Sequence, residues 1–248
     1  MKSIKIYALA LGLLAVFAGC QNDVVKPLEN DKEAPAPVRD VTYTKMSGSV
    51  LLTYTLPSDP DLLYVAASYT NKAGKKYEFK ASYFTNTLLV EGFGDTDTYS
   101  LDVYAVDRSE NYSEPVNIQV AADTPPVQAA YETLEVQPDF GGMTFSFDNA
   151  SKADLTVYVS TPNADNEMVN AETFYTGLAK ATFSVRGFLD VPRDFEICFE
   201  DKWGNRSPVK KENLTPIYEA ELDKKKFKEV ILPGDFPCTF YESKMEYI

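Results

Sequence analysis

The sequence predicts an all-β body of two tandem seven-stranded sandwiches behind a leader and a tether, and three observations predict it. From residue 38 onward, short stretches of alternating apolar residues recur between turn-forming residues, the pattern of half-buried strands. Past the leader, no window of eleven or more residues sustains a helical period. The second half of the body repeats strings of the first at an offset of 91 to 96 residues, about the length of one sandwich domain. A chain of 248 residues, 44% of them hydrophobic, is long enough to bury two cores.

In chain order, Lys2 and Lys5 precede an apolar run from Ile6 to Ala18 that closes on Phe17-Ala18-Gly19-Cys20, the layout of a secretory signal with a small-residue cleavage site. The fourteen residues from Ile6 to Gly19 are too few to span a hydrocarbon core, which takes roughly 20 as helix. Residues 1–19 resemble a bacterial lipoprotein signal, which implies acylation of Cys20 and attachment to a membrane through that lipid. The lipidated Cys20 and the polar, Pro-punctuated stretch after it form a tether over residues 20–37, with an r.m.s. reach of roughly 20–25 Å as coil. Asp23, soon after the cysteine, resembles the surface-export signals of Bacteroides-type lipoproteins, which implies the outer face of the outer membrane.

The first sandwich is expected over residues 38–122, with strands at Val38–Tyr43, Val50–Leu56, Leu62–Tyr69, Lys76–Lys80, Thr87–Val90, Tyr99–Val106 and Val116–Val120. Side chains alternate across a strand, so Tyr99, Leu101, Val103 and Ala105 line one face and Ser100, Asp102 and Tyr104 the other. This Tyr-x-Leu-x-Val-x-Ala pattern resembles the penultimate strand of fibronectin type III domains, a fold of the immunoglobulin-like class. Ala121-Ala-Asp-Thr-Pro-Pro126 reads as a short, extended linker. The second sandwich, residues 126–216, repeats the first. Thr53-Tyr54-Thr55-Leu56 matches Thr144-Phe145-Ser146-Phe147, Asp61-Leu62 matches Asp154-Leu155, and Val90-Glu91-Gly92-Phe93 matches Val185-Arg186-Gly187-Phe188. Asp107 through Ser113 matches Asp201 through Ser207, each with an Asp and an Asn suited to a tight hairpin whose side chains bond their own backbone. A turn capped by Asp223 through Lys224-Lys225-Lys226 is the one helix expected past the leader.

The order of signal, tether and paired sandwiches is similar to a family of uncharacterised surface lipoproteins from Bacteroides-type polysaccharide-utilisation loci. The strings that carry this are Leu56-Pro-Ser-Asp-Pro-Asp-Leu-Leu-Tyr-Val65, Val90-Glu-Gly-Phe-Gly-Asp95, Ala105-Val-Asp-Arg-Ser-Glu-Asn111, Val185-Arg-Gly-Phe188 and Asp201-Lys-Trp-Gly-Asn-Arg-Ser207. In that family a discoidin-like, galactose-binding-like domain follows. Residues 217–248 resemble its truncated start, with Phe227-Lys-Glu-Val-Ile-Leu-Pro-Gly-Asp235 as an opening strand, and an alternative is that this tail folds back on the second sandwich. The resemblance implies a non-catalytic accessory that spaces or presents a binding surface in polysaccharide capture, with a polysaccharide or a surface protein as partner. Two alternatives are a glycan- or host-protein-binding adhesin that uses the sandwich loops, and a remnant that has lost its binding domain.

Composition narrows the chemistry. With 37 Asp and Glu against 24 Lys and Arg the net charge is −13, a field that repels nucleic acid and anionic headgroups. The chain has no histidine, which removes the usual neutral-pH base, Ser-His and Cys-His nucleophiles and the His ligands of most catalytic zinc sites. Carboxylate-only glycosidase chemistry passes this filter, but among so many carboxylates a pair at about 5–9 Å arises by chance. The expectation is no enzyme, no cofactor and no metal. Asp59-Pro-Asp61 and Asp95-Thr-Asp97 each pair two carboxylates in a turn without continuing as a calcium loop, and turn chemistry accounts for them. Cys198 faces away from the Phe195, Ile197 and Phe199 core face, and Cys238 lies in the tail; they have no metal or redox spacing, and a bridge between them is open. Trp203, in a turn beside Gly204, is the candidate stacking platform for a sugar or partner, against packing across its own hairpin. Tyr112, near the corresponding tip of the first sandwich, is the weaker candidate.

Overall fold

The computed structural model describes residues 31–220, 223–228 and 233–234. The leader at 1–19, Cys20, the tether up to residue 30, Cys238 and most of the tail lie outside the described residues.

Among the described residues, fourteen strands form four antiparallel sheets. In the first sandwich β1 (Arg39–Met46), β2 (Ser49–Thr55) and β5 (Thr87–Glu91) make a three-stranded sheet in the order β1-β2-β5. It faces a four-stranded sheet of β3 (Leu62–Thr70), β4 (Lys76–Ser82), β6 (Tyr99–Asp107) and β7 (Val116–Val120), ordered β4-β3-β6-β7. The second sandwich repeats this order. Strands β8 (Glu135–Asp139), β9 (Gly142–Asp148) and β12 (Lys180–Arg186) form one sheet. Strands β10 (Leu155–Pro162), β11 (Met168–Thr176), β13 (Arg193–Asp201) and β14 (Lys210–Leu214) form the other, ordered β11-β10-β13-β14. The expected all-β tandem sandwich of fibronectin III-like type is the observed one.

Alternation explains the burial. On β6, Tyr99, Leu101, Val103 and Ala105 are buried while Ser100, Asp102 and Tyr104 are not. On β13, Phe195, Ile197 and Phe199 are all fully buried and Cys198 between them is a half-buried free thiol on the outer face. Each sandwich has its own core: Val50, Leu52, Val65 and Leu101 with tyrosines in the first, and Met143, Phe145, Phe147 and Phe199 in the second.

Three expectations are corrected. The linker is not extended throughout, because Pro126 opens a helix, α1 (Pro126–Glu132), with Pro125 in extended backbone before it. Proline suits the first helical position, where its missing N–H has no partner to lose. This helix buries Val127 and Ala130 in the second core, and the Thr133 hydroxyl closes it by donating to Ala129 O and Ala130 O. The Asp223-capped turn at Lys224–Lys226 is present, so it is not the sole helix past the leader.

The repeat is also in a different register over one strand. Gly48 N–H donates to Asp123 O and Gly141 N–H to Ile217 O, which makes these glycines equivalent. Val50 opposite Val90 therefore corresponds to Met143 opposite Val185, and Tyr54 to Phe147, not to Phe145. A slip of two residues preserves the inward face, so alternation alone does not detect it.

Candidate functional site

The hairpins that end β6 and β13 are built alike. Asp107 Oδ1 accepts from the amides of Ser109 (2.9 Å) and Asn111 (2.8 Å), and its Oδ2 accepts from Asn111 Nδ2 (2.9 Å). Asp201 Oδ1 accepts from the amides of Trp203 (2.9 Å) and Asn205 (2.9 Å), and its Oδ2 accepts from Asn205 Nδ2 (2.9 Å). The hydroxyls of Ser113 and Ser207 then accept from Ala105 N–H (3.0 Å) and Phe199 N–H (2.9 Å). Each aspartate thus consumes the orphan donors of a tight turn and leaves the residue at its tip free to project.

In the second sandwich that residue is Trp203, and it does not pack across its own hairpin. The indole is half-buried against the first sandwich, edge-on to Tyr77 (5.5 Å, 89°) and Phe79 (5.5 Å, 62°). The reason is positional: the hairpin sits at the pole of the second sandwich that meets the first. Gly92 admits the ring, since a Cβ there would lie 3.1 Å from Trp203 Cδ2, and its φ of +89° is itself one that only glycine adopts freely. Polar contacts lock the same joint. Tyr77 Oη donates to Trp203 O (3.3 Å), Asn205 Nδ2 donates to Gly92 O (3.3 Å), and Lys202 Nζ lies 3.2 Å from Glu91. Beneath the indole, Tyr69 stacks on Phe93 at 4.6 Å and donates its hydroxyl to Glu91 O (2.8 Å). Burial, with the charges of Tyr77, Tyr99 and Asp201, raises the Tyr69 pKa, so it stays a neutral donor.

The joint opens into a cleft of about 540 Å³ lined by Met46, Leu89, Glu91, Lys152, Asp154 and Trp203. Lys202 Nζ stands 5.1 Å from the centre of the indole, so both Tyr and Lys groups already engage the ring.

Tyr112, on the returning arm of the matching hairpin where it bridges Val106, is exposed. Its ring meets Tyr104 edge-on at 5.6 Å and its hydroxyl shares a hydrogen bond with Tyr64 (3.3 Å). Lys80 Nζ sits 4.6 Å over the Tyr64 ring, donates to its hydroxyl (3.3 Å) and pairs with Glu78 (3.1 Å). The bond to Tyr64, then burial, pushes the Tyr112 pKa up to about 12. The result is an outward patch of three tyrosines and a lysine on the four-stranded sheet. Only Tyr112 was legible in the sequence; Tyr64 and Tyr104 gave a signal in falling on the outward positions of their strands.

The paired carboxylates serve turns. Asp59 Oδ1 accepts from Asp61 N–H (3.3 Å) and Asp95 Oδ1 from Asp97 N–H (2.9 Å), while Lys72 bridges Asp95 (2.7 Å) and Asp97. A sharing bond with Asp59, then burial and the Asp59 charge, raises the Asp61 pKa. One grouping escaped the sequence reading: oxygens of Asp31, Asp61 and Asp107 lie within 4.8 Å of one another. An all-oxygen set is the chemistry of a hard cation, but Asp107 is spent on its hairpin and Asp31 Oδ1 accepts from Glu33 N–H and Asn111 Nδ2. These bonds fasten the end of the tether to the first sandwich.

Comparison with known proteins divides the chain at the joint. Residues 35–122 match a domain of unknown function, DUF4959, and residues 123–225 match another, DUF5126. Their order agrees with the resemblance to a surface protein with two fibronectin-like domains of unknown function. No curated protein is significantly similar. Among solved structures, a SusE-like protein is 34% identical over 40% of this chain, with a TM-score of 0.34; the match spans 34% of that protein's length. A two-domain fibronectin type III segment of chicken tenascin is 15% identical over 72% of this chain and 99% of its own, with a TM-score of 0.34.

Proposed function

We propose that this protein is a non-catalytic, lipid-anchored accessory on the outer face of the outer membrane, which spaces or presents a binding surface in polysaccharide capture. The observation that carries the reading is the joint. Two sandwiches joined by a bare linker would swivel, whereas Trp203, Asn205 and Lys202 pin the second sandwich to the end of the first. A stiff unit on a tether whose end is fastened to it at Asp31 holds whatever it carries clear of headgroups. Attachment in this reading is through the lipid on Cys20; among the described residues no helix is long and apolar enough to cross a membrane.

Small-angle scattering of the full chain in detergent tests the stiffness. The parent gives a single extended shape, and Trp203→Ala gives a broadened distribution of sizes; an unchanged profile in the variant removes the joint as the basis of spacing. Labelling with an alkyne palmitate analogue tests the anchor, with label on the parent and none on Cys20→Ala.

A second reading, direct glycan contact, is favoured by exposed Tyr112 with half-buried Tyr64 and Tyr104 beside it, since aromatic faces suit sugar rings. It predicts binding to at least one polysaccharide in a panel, with affinity lost in Tyr112→Ala and kept in Trp203→Ala.

A further inference from the structure

The cleft at the joint does not end at Trp203. A second cleft of about 410 Å³, lined by Asp154, Thr156, Tyr175, Thr176, Gly177 and Lys202, adjoins it. Asp154 and Lys202 line both, so the two make one groove that runs from Met46 and Leu89 on the first sandwich, past the indole, to Tyr175 on β11 of the second. Beside Asp154 the groove is kept clear by a glycine, since a Cβ on Gly177 would lie 3.3 Å from Asp154 Oδ1.

Three side chains in this groove are unengaged. Tyr175 is 76% exposed, and neither its ring nor its hydroxyl meets a partner among the described residues. Lys152 and Asp154 are exposed, and neither the ammonium nor the carboxylate is hydrogen-bonded or ion-paired among the described residues. Asp59, Asp95 and Asp201, by contrast, all accept bonds from their own turns. Lys152 is also fixed in place: its φ is +54°, its N–H donates to Asn149 O (2.8 Å), and the next amide, of Ala153, donates to Asn149 Oδ1 (3.2 Å). A donor, an acceptor and a bare aromatic face in one groove match a ligand that carries both hydroxyls and C–H faces.

Charge narrows the class. The chain as a whole carries −13, but the groove sets Lys152 and Lys202 against Glu91 and Asp154, with the Asp201 carboxylate turned into its own hairpin. So nearly balanced a surface draws in neither a polyanion nor a polycation. Two connected clefts along a surface, instead of one enclosed pocket, fit an extended polymer better than a compact molecule.

We propose that this groove binds a stretch of neutral polysaccharide across the joint, with a sugar ring stacked on Tyr175 and hydroxyls bonded by Lys152 and Asp154. The inference rests on the reading of polysaccharide capture and gives it a site distinct from Tyr112. Because both sandwiches wall the groove, the bound chain also braces the joint.

Affinity electrophoresis of the full chain in gels that carry neutral glucans, mannans, galactans or fructans tests this, with polygalacturonate as the anionic comparison. At least one neutral polymer retards the parent. Calorimetric titration with an oligosaccharide of that polymer gives a Kd that changes less than about twofold between about 0.05 and 0.5 M salt. Tyr175→Ala and Gly177→Leu each weaken binding about tenfold or more at an unchanged melting temperature, since both positions are exposed. Retardation by polygalacturonate alone, or by no polymer, overturns the proposal, and the spacing reading still stands or falls by scattering. Parent-like affinity in both variants, with loss in Tyr112→Ala, overturns it as well and moves the glycan to Tyr112.

Discussion

Ala105 and Phe199 occupy the same place in the two sandwiches. Each amide is held by a serine hydroxyl from the returning hairpin, Ser113 or Ser207, and each residue faces a valine across the sheet, Val65 or Val157. The first sandwich tolerates an alanine there because its bulk is tyrosine placed elsewhere. The hydroxyls of Tyr54, Tyr69 and Tyr99 reach Thr87 O, Glu91 O and Asp95 at the rim of the core, and burial pushes the Tyr54 pKa up to about 12. The second sandwich is filled by phenylalanines that need no such partners, with Phe147 edge-on to Phe199 at 4.7 Å. One strand order thus accommodates two fillings, and what the two domains share is alternation, the Asp-Asn hairpin and the clamped turn. Tyrosine hydroxyls anchored at the rim also place aromatic bulk at the pole of the first sandwich, where Trp203 lands.

The largest expected effect breaks the filling. Phe199→Ala leaves a cavity that the second sandwich does not close, at a cost of about 3–5 kcal/mol, read as a lowered denaturant midpoint for that domain. A cost near zero would mean that the second core rearranges toward the tyrosine-type packing of the first.

The shared hairpin comes next. Asp107→Ala and Asp201→Ala each strand several turn amides and cost about 1–3 kcal/mol. They differ in reach: Asp201 also orients Asn205 and Trp203, so its loss uncouples the sandwiches and splits a joint thermal transition into two, whereas loss of Asp107 does not. Calorimetry on both variants distinguishes them.

The smallest effect compares the two poles in acid. Burial alone would raise the pKa of Asp95, but hydrogen bonds from Lys72, the Asp97 amide and Tyr99 hold it below the usual carboxylate range. Asp139 is held low by the Phe140 amide, then by Ser184 and Arg186. A folded pKa below the unfolded value adds stability that is present at neutral pH and lost as pH falls from roughly 4 toward the folded value. Acid titration of Lys72→Met and Arg186→Met therefore shows a flatter loss of stability with falling pH than the parent, one at each pole. Asp61 runs the other way: its raised pKa opposes folding once it ionises, so Asp61→Asn gains stability at neutral pH relative to acid pH.

Much of this was legible in residues because it is local. Alternation put Leu101 and Val103 inside and Cys198 outside, and the Asp and Asn four positions apart in each repeat announced the hairpins. Helix α1 left a trace as well, since Val127, Ala130, Tyr131 and Leu134 have helical spacing, but seven residues are too short for a test that needs eleven. The two-residue offset between Tyr54 and Phe147 was invisible for a different reason: strand alternation has period two, and a slip of two leaves every residue on its own face. The sequence by itself determined the strands, their faces, the duplication and the turns, all set by contacts within a few residues or by pairing of neighbours. Tertiary structure alone decided that Trp203 rests on Tyr77 and Phe79, that Asp31 meets Asp61 and Asp107, and that Gly92 is covered. Those contacts join residues as much as 126 positions apart, and they follow from how one rigid body seats on another, which no local pattern encodes.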